Sequence, residues 1–285
     1  MSDEREAKIS FHSKEEYVCP VCATTFHREE LLSGSGRLIA GALTDELHRL
    51  YEPSAKYGEV YPLLYLVTVC PECWFAEMER GFSDLPFQIR QAAIDDRKKR
   101  QEETRLVFPS ANFRTQRDLV SGAASYYLVM RCCTYFTHEF SPTIKQGLAS
   151  LRTGWLLDEL HRKFPGDHYD WLAQLFKKKA QYLYNEAIRR ETIGEENLSA
   201  LKVFGPDTDK NYSYEGALYL SGLLRYKYGF LANPQTRAKL LEESKRIIAK
   251  IFGVGKSSKS KPGALLEHAR TLYENISKEL NENDA

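Results

Sequence analysis

The chain of 285 residues lacks the segments that direct a protein into or across a membrane. Its opening stretch, MSDEREAKISFHSKEE, mixes acidic and basic side chains, whereas an export signal needs a run of about 7–15 apolar residues. The longest apolar stretches, residues 63–69 and 217–224, are much shorter than the roughly 20 residues that cross a bilayer. We therefore expect a cytoplasmic protein with no membrane span.

An excess of either charge is also missing. Lys and Arg number 40 against 39 Asp and Glu, which gives a net charge of +1, so no overall field attracts nucleic acid. A nucleic-acid partner would have to bind one of two local basic clusters, residues 97–100 (RKKR) and 177–179 (KKK). Acidic residues on both sides of the first cluster favour instead a solvent face with ion pairs between successive helical turns.

Cysteine is scarce, but four of the six cysteines fall in two matching C-P-x-C motifs. The motifs hold Cys19 and Cys22, and Cys70 and Cys73, with 47 residues between them. Two cysteines three positions apart on a tight turn can aim both sulfurs at one ion, and two such turns supply the four thiolates of a structural zinc site. Iron held by four thiolates uses similar turns, and a redox disulfide within one pair is a further alternative. We expect zinc, because two matching pairs favour shared coordination.

The region around these motifs is predicted to form a small zinc-binding, β-containing module over residues 17–85, after a flexible amino terminus over residues 1–16. Aromatic or branched residues precede each cysteine pair, which predicts that each turn caps a β-hairpin, as in a zinc ribbon. Branched and aromatic residues over 63–69 favour a short strand. Apolar residues at intervals of three and four over 36–51 predict an amphipathic helix inserted between the two pairs.

From residue 86 onward the apolar residues follow a helical period. A polar helix over 87–105 is expected to connect the module to the rest, within a linker of residues 86–119. Six further helices are predicted over residues 120–140, 143–164, 168–190, 214–230, 234–252 and 263–281, with proline or glycine near their ends. The expected fold class is therefore mainly α, with a small zinc-ribbon-like β-containing module followed by an antiparallel helical-repeat domain over residues 120–285.

An internal duplication is predicted within the helical domain. Residues 120–192 align with residues 214–285 through a Gly-Ala pair, an arginine and a phenylalanine at a constant offset of 94 residues. Two helices carry a small, an aromatic and an apolar residue at steps of four and three, namely Ala180, Tyr184 and Ala187, and Ala269, Tyr273 and Ile276. This pattern resembles the second helix of a tetratricopeptide repeat (TPR), although any amphipathic helix can also produce it.

Other candidate residues favour structural roles. Cys132 and Cys133 lie in an apolar helical segment and are expected to be core thiols. Asp45 and His48, one turn apart on the predicted inserted helix, could act as an acid–base pair, but the favoured interpretation is a surface pair or a hydrogen bond to the loop between the cysteine pairs. A shell of four thiolates leaves a metal no open position for water, so we expect that the chain is not an enzyme.

The sequence around the cysteines resembles an uncharacterised bacterial protein family of unknown function. The shared features are CPVC at 19–22 followed by Phe26, TDEL at 44–47 followed by Tyr51, a segment over 62–65, and VCPEC at 69–73 followed by Phe75 and Ala76. The resemblance implies a metal held by paired cysteines ahead of a TPR-like helical region, and it supplies no catalytic residue. Family members commonly have glycine after each pair, and Ala23 and Trp74 stand there in this chain, which implies strain in a left-handed turn.

These observations predict a zinc-stabilised cytoplasmic adaptor that binds a protein partner through its helical repeats. A nucleic-acid-associated zinc ribbon is the alternative, and an enzyme of unknown class is a second alternative. If the four cysteines share one ion, its loss should unfold the module. The helices from residue 120 onward should then stay folded, because they are expected to have a core of their own.

Overall fold

The computed structural model describes residues 8–78, 82–83, 85–198, 205–208, 210–229, 233–253 and 262–283, and this part of the chain is mainly helical. The strands are β1 (Ser10–Val18), β2 (Thr25–Leu31), β3 (Ile39–Leu43), β4 (Arg49–Glu52), β5 (Val67–Val69) and β6 (Ala76–Met78). The helices are α1 (Phe87–Asp95), α2 (Arg97–Val107), α3 (Leu119–Cys132), α4 (Pro142–Lys163), α5 (Tyr169–Thr192), α6 (Ser213–Tyr228), α7 (Pro234–Gly253) and α8 (Gly263–Asn283). The expectation of a mainly α chain with a small amino-terminal β-containing part is confirmed.

The strands pair as antiparallel hairpins, β1 with β2, β3 with β4 and β5 with β6. The first cysteine pair lies between β1 and β2, and the second lies between β5 and β6, so the prediction that each cysteine turn caps a hairpin is confirmed. The strand predicted over 63–69 is shorter than expected, because a 3-10 helix covers Pro62–Tyr65 before β5 begins. Residues 10–16, which were expected to be flexible, lie in β1, and residues 1–7 lie outside the described residues.

The helix predicted over residues 36–51 is wrong, because this segment forms the β3–β4 hairpin. Gly36 (φ +74°) and Leu47 (φ +60°) have left-handed backbones that a right-handed helix does not accept. Between the strands, the Thr44 amide donates to the His48 carbonyl at 2.8 Å, which closes a turn. Leu47 is fully buried in this turn. The apolar spacing that predicts a helix therefore arises from a side chain that packs into the core from a turn.

The polar segment that was expected to be a single linker helix forms two helices, α1 and α2, which break at Asp96. One side of this pair is buried, through Ile89 and Ala93 of α1 and Arg100 and Thr104 of α2. A fully buried arginine in such a polar helix shows that α2 is part of the packed structure and does more than connect two units.

From α3 onward, each helix packs against the next one in the chain. The ends of α4 to α8 lie close to the predicted ends, and Pro142 occupies the first position of α4, where a missing amide proton costs nothing. Helix α3 ends at Cys132, earlier than predicted, and 3-10 turns follow at Cys133–Tyr135 and His138–Phe140. Within the described ranges, no helix is long and apolar enough to cross a membrane.

Helix α3 joins the hairpins to the helices. It packs against β5, β6 and the 3-10 helix at Pro62–Tyr65, and it also packs against α4. The Tyr126 hydroxyl donates to the Leu63 carbonyl at 2.8 Å, and the Ala76 amide donates to Cys132 Sγ at 3.4 Å. The hydrophobic core therefore runs without a break from the first cysteine turn to α8.

Five of the six residues of the predicted repeat pattern are buried in this core, and Tyr273 is partly buried against it. Ala180, Ala187, Ala269 and Ile276 have no exposed surface, and Tyr184 is almost fully buried. Burial of this kind occurs in any well-packed amphipathic helix. The TPR-like architecture and the internal duplication therefore stay predictions.

Candidate metal centre

The two cysteine turns have the same backbone conformation. The amide of Ala23 donates to the Cys19 carbonyl at 2.9 Å, and the amide of Trp74 donates to the Cys70 carbonyl at 3.0 Å. In both turns the amide of the first cysteine donates, at 2.9 Å, to the carbonyl five residues ahead. Ala23 and Trp74 each have φ +59°, the left-handed angle that the family resemblance implies. Identical turns therefore present both cysteine pairs in the same way.

The four cysteine sulfurs form one cluster, in which all of them lie within 4.8 Å of one another. Two close contacts join the two turns, with 3.6 Å between the Sγ atoms of Cys19 and Cys73 and 3.5 Å between those of Cys22 and Cys70. A tetrahedral ion at about 2.3 Å from each sulfur requires sulfur–sulfur distances of about 3.8 Å, whereas a disulfide requires about 2.05 Å. The spacing therefore fits four ligands of one metal ion.

Three of these sulfurs are buried, and Cys22 is half-buried. Hydrogen bonds from Cys70 and Cys73 lower the pKa of Cys19 to about 4. The same contacts with Cys19, helped by burial, raise the pKa of Cys70 and of Cys73. In the absence of a metal ion, the thiolate of Cys19 therefore forms readily, whereas Cys70 and Cys73 tend to keep their protons. A divalent cation removes this conflict, because its charge stabilises all four thiolates together.

Helix α2 holds the second turn in place. The guanidinium of Arg100, which is fully buried, donates to the Cys73 carbonyl at 2.8 Å. Arg97 donates to the Glu72 carboxylate at 2.7 Å, and Gln101 donates to the Glu72 carbonyl at 2.9 Å. Bonds from cationic donors are strong, so α2 fixes the orientation of the ligands without touching a sulfur.

The residues of the two basic clusters bind different partners within the protein. Arg97 and Arg100 bind the second cysteine turn, whereas Lys98 and Lys99 pair with the glutamates four positions ahead at 3.8 and 3.9 Å. In the second cluster, Lys177 is buried and lies 2.5 Å from a carboxylate oxygen of α4. The predicted ion pairs between helical turns are confirmed for Lys98 and Lys99.

The other candidate residues lie outside the cluster of sulfurs. Cys132 and Cys133 are buried as predicted, and burial raises the pKa of Cys132 to about 12. The pairing of Asp45 with His48 is wrong. Asp45 lies 3.1 Å from the ammonium of Lys227, and His48 Nδ1 lies 2.5 Å from a carboxylate oxygen of Asp207.

Sequence reasoning missed Arg100 and Asp207. Arg100 stands in a run of charged residues that predicts a solvent face, and only its position opposite the second cysteine turn reveals its role. Asp207 is 159 residues from His48 in the chain, and the sequence carries no signal that joins them.

Most of the chain, including the segment that contains the four cysteines, matches a known protein family. The model of a family described as "Uncharacterized protein conserved in bacteria (DUF2225)" matches residues 12–276. The chain belongs to this family. An uncharacterised protein of Borreliella burgdorferi is 41% identical over 274 residues, which cover 96% of this chain and 98% of that relative. The resemblance to an uncharacterised bacterial family is thus confirmed as membership of DUF2225, and no solved structure matches the chain.

Proposed function

We propose that this member of DUF2225 is a zinc-stabilised adaptor protein. The observation that carries the proposal is the set of four cysteine sulfurs within 4.8 Å of one another. Thiolate sulfur is a soft ligand that suits zinc, and four-thiolate tetrahedral sites are typical of structural zinc. When bound, the ion cross-links the two hairpins, and its four ligands leave no position for a substrate.

The partner surface that we assign is the exposed face of α5. Trp171, Leu175 and Tyr182 are four and seven residues apart, which puts them on one stripe of the helix, and they are 65%, 41% and 64% exposed. Lys178 lies between Leu175 and Tyr182 on the same stripe and is exposed. Large aromatic side chains contribute most of the binding energy in protein interfaces. An acidic amphipathic helix complements this stripe, because its apolar face covers the rings and its carboxylates meet Lys178.

Metal analysis of the purified full chain tests the zinc part of the proposal. We expect one zinc ion per chain in the wild-type protein and in the Cys132→Ser variant, whose cysteine lies outside the cluster. In the Cys70→Ser variant we expect loss of most of the zinc, because one of four ligands is gone. Iron in place of zinc, or full zinc content in Cys70→Ser, contradicts the proposal.

Photo-crosslinking in cells at native expression tests the adaptor part. A photoreactive residue in place of Leu175 should give a discrete protein adduct whose crosslinked segment is acidic and amphipathic, and Trp171→Ala should abolish it. The control position is Glu242, which is exposed on α7. Equal adducts from both positions, no adduct from position 175, or a crosslinked segment without acidic residues contradicts the proposal.

The nucleic-acid alternative draws no support from the basic cluster at 97–100. Arg97 and Arg100 donate to the second cysteine turn, and Lys98 and Lys99 pair with glutamates. Neutralising this cluster therefore disturbs the support of the cysteine turn and does not isolate a contact with phosphate.

A further inference from the structure

A cleft lies between the β3–β4 hairpin and the helices α4, α5 and α6, and its walls include none of the four clustered cysteines. Two cavities of about 280 and 220 Å³ form it. They share wall residues His48, Leu50, Trp155 and Glu159, so the two lobes meet at this point. The four shared residues come from distant parts of the chain, and only the folded protein brings them together.

The two lobes differ in chemistry. The larger lobe is lined mainly by apolar side chains, among them Val60, Leu63 and Leu156. The smaller lobe carries four carboxylates against two ammonium groups, and its members are Asp45, Glu46, Asp158, Glu159, Lys177 and Lys227. An apolar body therefore suits the larger lobe, and a positive charge suits the smaller one.

Asp207 fixes the imidazole of His48 at the junction of the lobes. An Asp207 carboxylate oxygen lies 2.5 Å from His48 Nδ1 and accepts the Arg49 amide at 2.6 Å. A carboxylate only accepts hydrogen bonds, so the proton of the neutral ring lies on Nδ1 and Nε2 is an acceptor. The ring stacks on Trp155, with 4.2 Å between ring centroids and 10° between the planes. The imidazole is therefore held in one orientation before any ligand binds.

Glu46 is the second fixed group of the cleft. It is 5% exposed and accepts hydrogen bonds from the Trp155 indole at 2.5 Å, the Lys227 ammonium at 2.8 Å and the Tyr228 hydroxyl at 2.5 Å. The same ammonium of Lys227 also lies 3.1 Å from Asp45. Lys227 thus pairs with two carboxylates, Lys177 pairs with Asp158, and Arg162 pairs with Glu159. Three cations therefore face the four carboxylates of the smaller lobe, which leaves one negative charge in excess there.

We propose that this cleft binds a small primary amine with an apolar body. The ammonium group lies at the junction beside Trp155, where it donates to His48 Nε2 and to Oε1 of Glu159. The other oxygen of that carboxylate, Oε2, accepts from the Arg162 guanidinium at 2.9 Å. The apolar body occupies the larger lobe and is removed from water there. An anionic ligand is disfavoured, because the carboxylates of the smaller lobe outnumber the cations paired with them by four to three.

Titration of the metal-loaded full chain with three matched probes tests the proposal. The probes are phenethylamine, its neutral counterpart phenethyl alcohol and the anion phenylacetate, and saturation-transfer NMR detects their binding. We expect phenethylamine to bind in the millimolar range and the alcohol to bind about tenfold or more weakly, because the alcohol lacks charge-assisted hydrogen bonds. Binding of phenylacetate at least as tight as that of the amine, equal affinity for amine and alcohol, or no binding of the amine overturns the proposal.

Two variants locate the site. Leu50 and Ile39 are both 40% exposed on the β3–β4 hairpin, but only Leu50 lines the cleft. We expect Leu50→Trp to weaken amine binding about tenfold or more by filling the junction, and Ile39→Trp to leave it unchanged. Glu159→Gln keeps the shape of the cleft and should weaken binding of the amine while leaving that of the alcohol unchanged. Equal losses in Leu50→Trp and Ile39→Trp, or a Glu159→Gln variant that binds amine as the wild type does, overturn the assignment.

Discussion

At the scale of single residues, the positions that follow the two cysteine pairs share one backbone angle but differ in their side chains. Ala23 is exposed, whereas Trp74 is buried. The Trp74 ring packs edge-on against Phe113, with 5.2 Å between centroids, and the Arg105 guanidinium lies 4.5 Å from its centre. A left-handed angle costs a residue with a Cβ roughly 1–2 kcal/mol relative to glycine. Only at Trp74 do side-chain contacts offset this cost.

We therefore expect opposite effects from the same substitution at the two positions. Ala23→Gly should raise the free energy of unfolding by about 0.5–1 kcal/mol, because the relief of strain exceeds the added entropy of the unfolded chain. Trp74→Gly should lower it by about 2–4 kcal/mol, because a buried ring is lost. Urea denaturation of the metal-loaded proteins measures both values. A change of the same sign at both positions contradicts this account.

Arg100 is the residue on which the second cysteine turn depends most. Arg100→Met leaves the buried carbonyls of Cys73 and Ala93 without their donors. We expect the free energy of unfolding to fall by about 2–4 kcal/mol, and a chelator to remove the bound metal ion faster. Lys99→Met, at a 66% exposed side chain in the same helix, should change stability by less than about 0.5 kcal/mol. Equal effects of the two substitutions would show that α2 does not hold the turn.

Glu46 makes the stability of the protein depend on pH. Burial raises the pKa of Glu46, but Lys227 and the hydrogen bonds from Tyr228 and Trp155 outweigh it, so the pKa lies below its usual value of 4.5. The ionised carboxylate stabilises the fold above that value, and this contribution disappears as the pH falls through the lower folded-state pKa. Glu46→Gln should therefore destabilise the protein most at neutral pH and progressively less below about pH 4. Denaturation of both proteins across this range measures the difference, and a difference that does not vary with pH contradicts the prediction.

At the scale of elements, the sequence predicts what short-range signals determine. Each C-P-x-C pair specifies a turn within four residues, and both turns form as expected. Helix α4 begins at Pro142 because proline suits a first helical position, and its end at Lys163 lies just before Pro165. Such signals act between neighbours in the chain, so they can be recognised without the fold.

The β3–β4 hairpin shows where such signals fail. Its turn is held by contacts to residues far away in the chain, since Glu46 binds Tyr228 and Lys227 at separations of 182 and 181 residues. Apolar spacing of three and four residues occurs here without a helix, because Leu47 packs into the core from a turn. The same limit applies to Arg100, whose burial depends on the cysteine turn that it faces.

The contact between α3 and the 3-10 helix before β5 leaves no room for a methyl group. A Cβ on Gly122 would lie 2.3 Å from a terminal methyl of Leu64, which is itself buried. We expect Gly122→Ala to lower the free energy of unfolding by about 1–3 kcal/mol, although alanine favours a helix. Gly263→Ala, where a Cβ meets nothing within 4 Å, should leave stability unchanged or raise it slightly. Thermal denaturation compares the two variants, and a stabilised Gly122→Ala protein contradicts the packing described here.

At the scale of the whole molecule, the hairpins and the helices share one hydrophobic core. The sequence predicts that loss of the ion leaves the helices from residue 120 folded. The packing of α3 against β5 and β6 leads to a different expectation. We expect removal of the bound metal ion to destabilise α3 together with the hairpins, because α3 loses the surface that buries it, whereas α7 and α8 pack on α6 and on each other.

Hydrogen exchange before and after chelation measures this expectation. The amides of α3 should lose protection together with those of β5 and β6, and the amides of α7 and α8 should keep theirs. Protection of α3 that survives the loss of the hairpins supports the separate helical unit that the sequence predicts. Simultaneous loss in α3, α7 and α8 shows instead that the whole chain unfolds as one unit.

The position of the four ligands near the start of the chain has a consequence for the order of assembly during synthesis. Cys73 precedes α1 to α8, so all four sulfurs emerge from the ribosome before any of these helices emerges. An ion captured at that stage closes the loop between the two turns and preforms the surface of β5 and β6. Helix α3 then emerges next to the β5–β6 surface on which it packs. We therefore expect the metal supply during translation to affect the yield of folded protein.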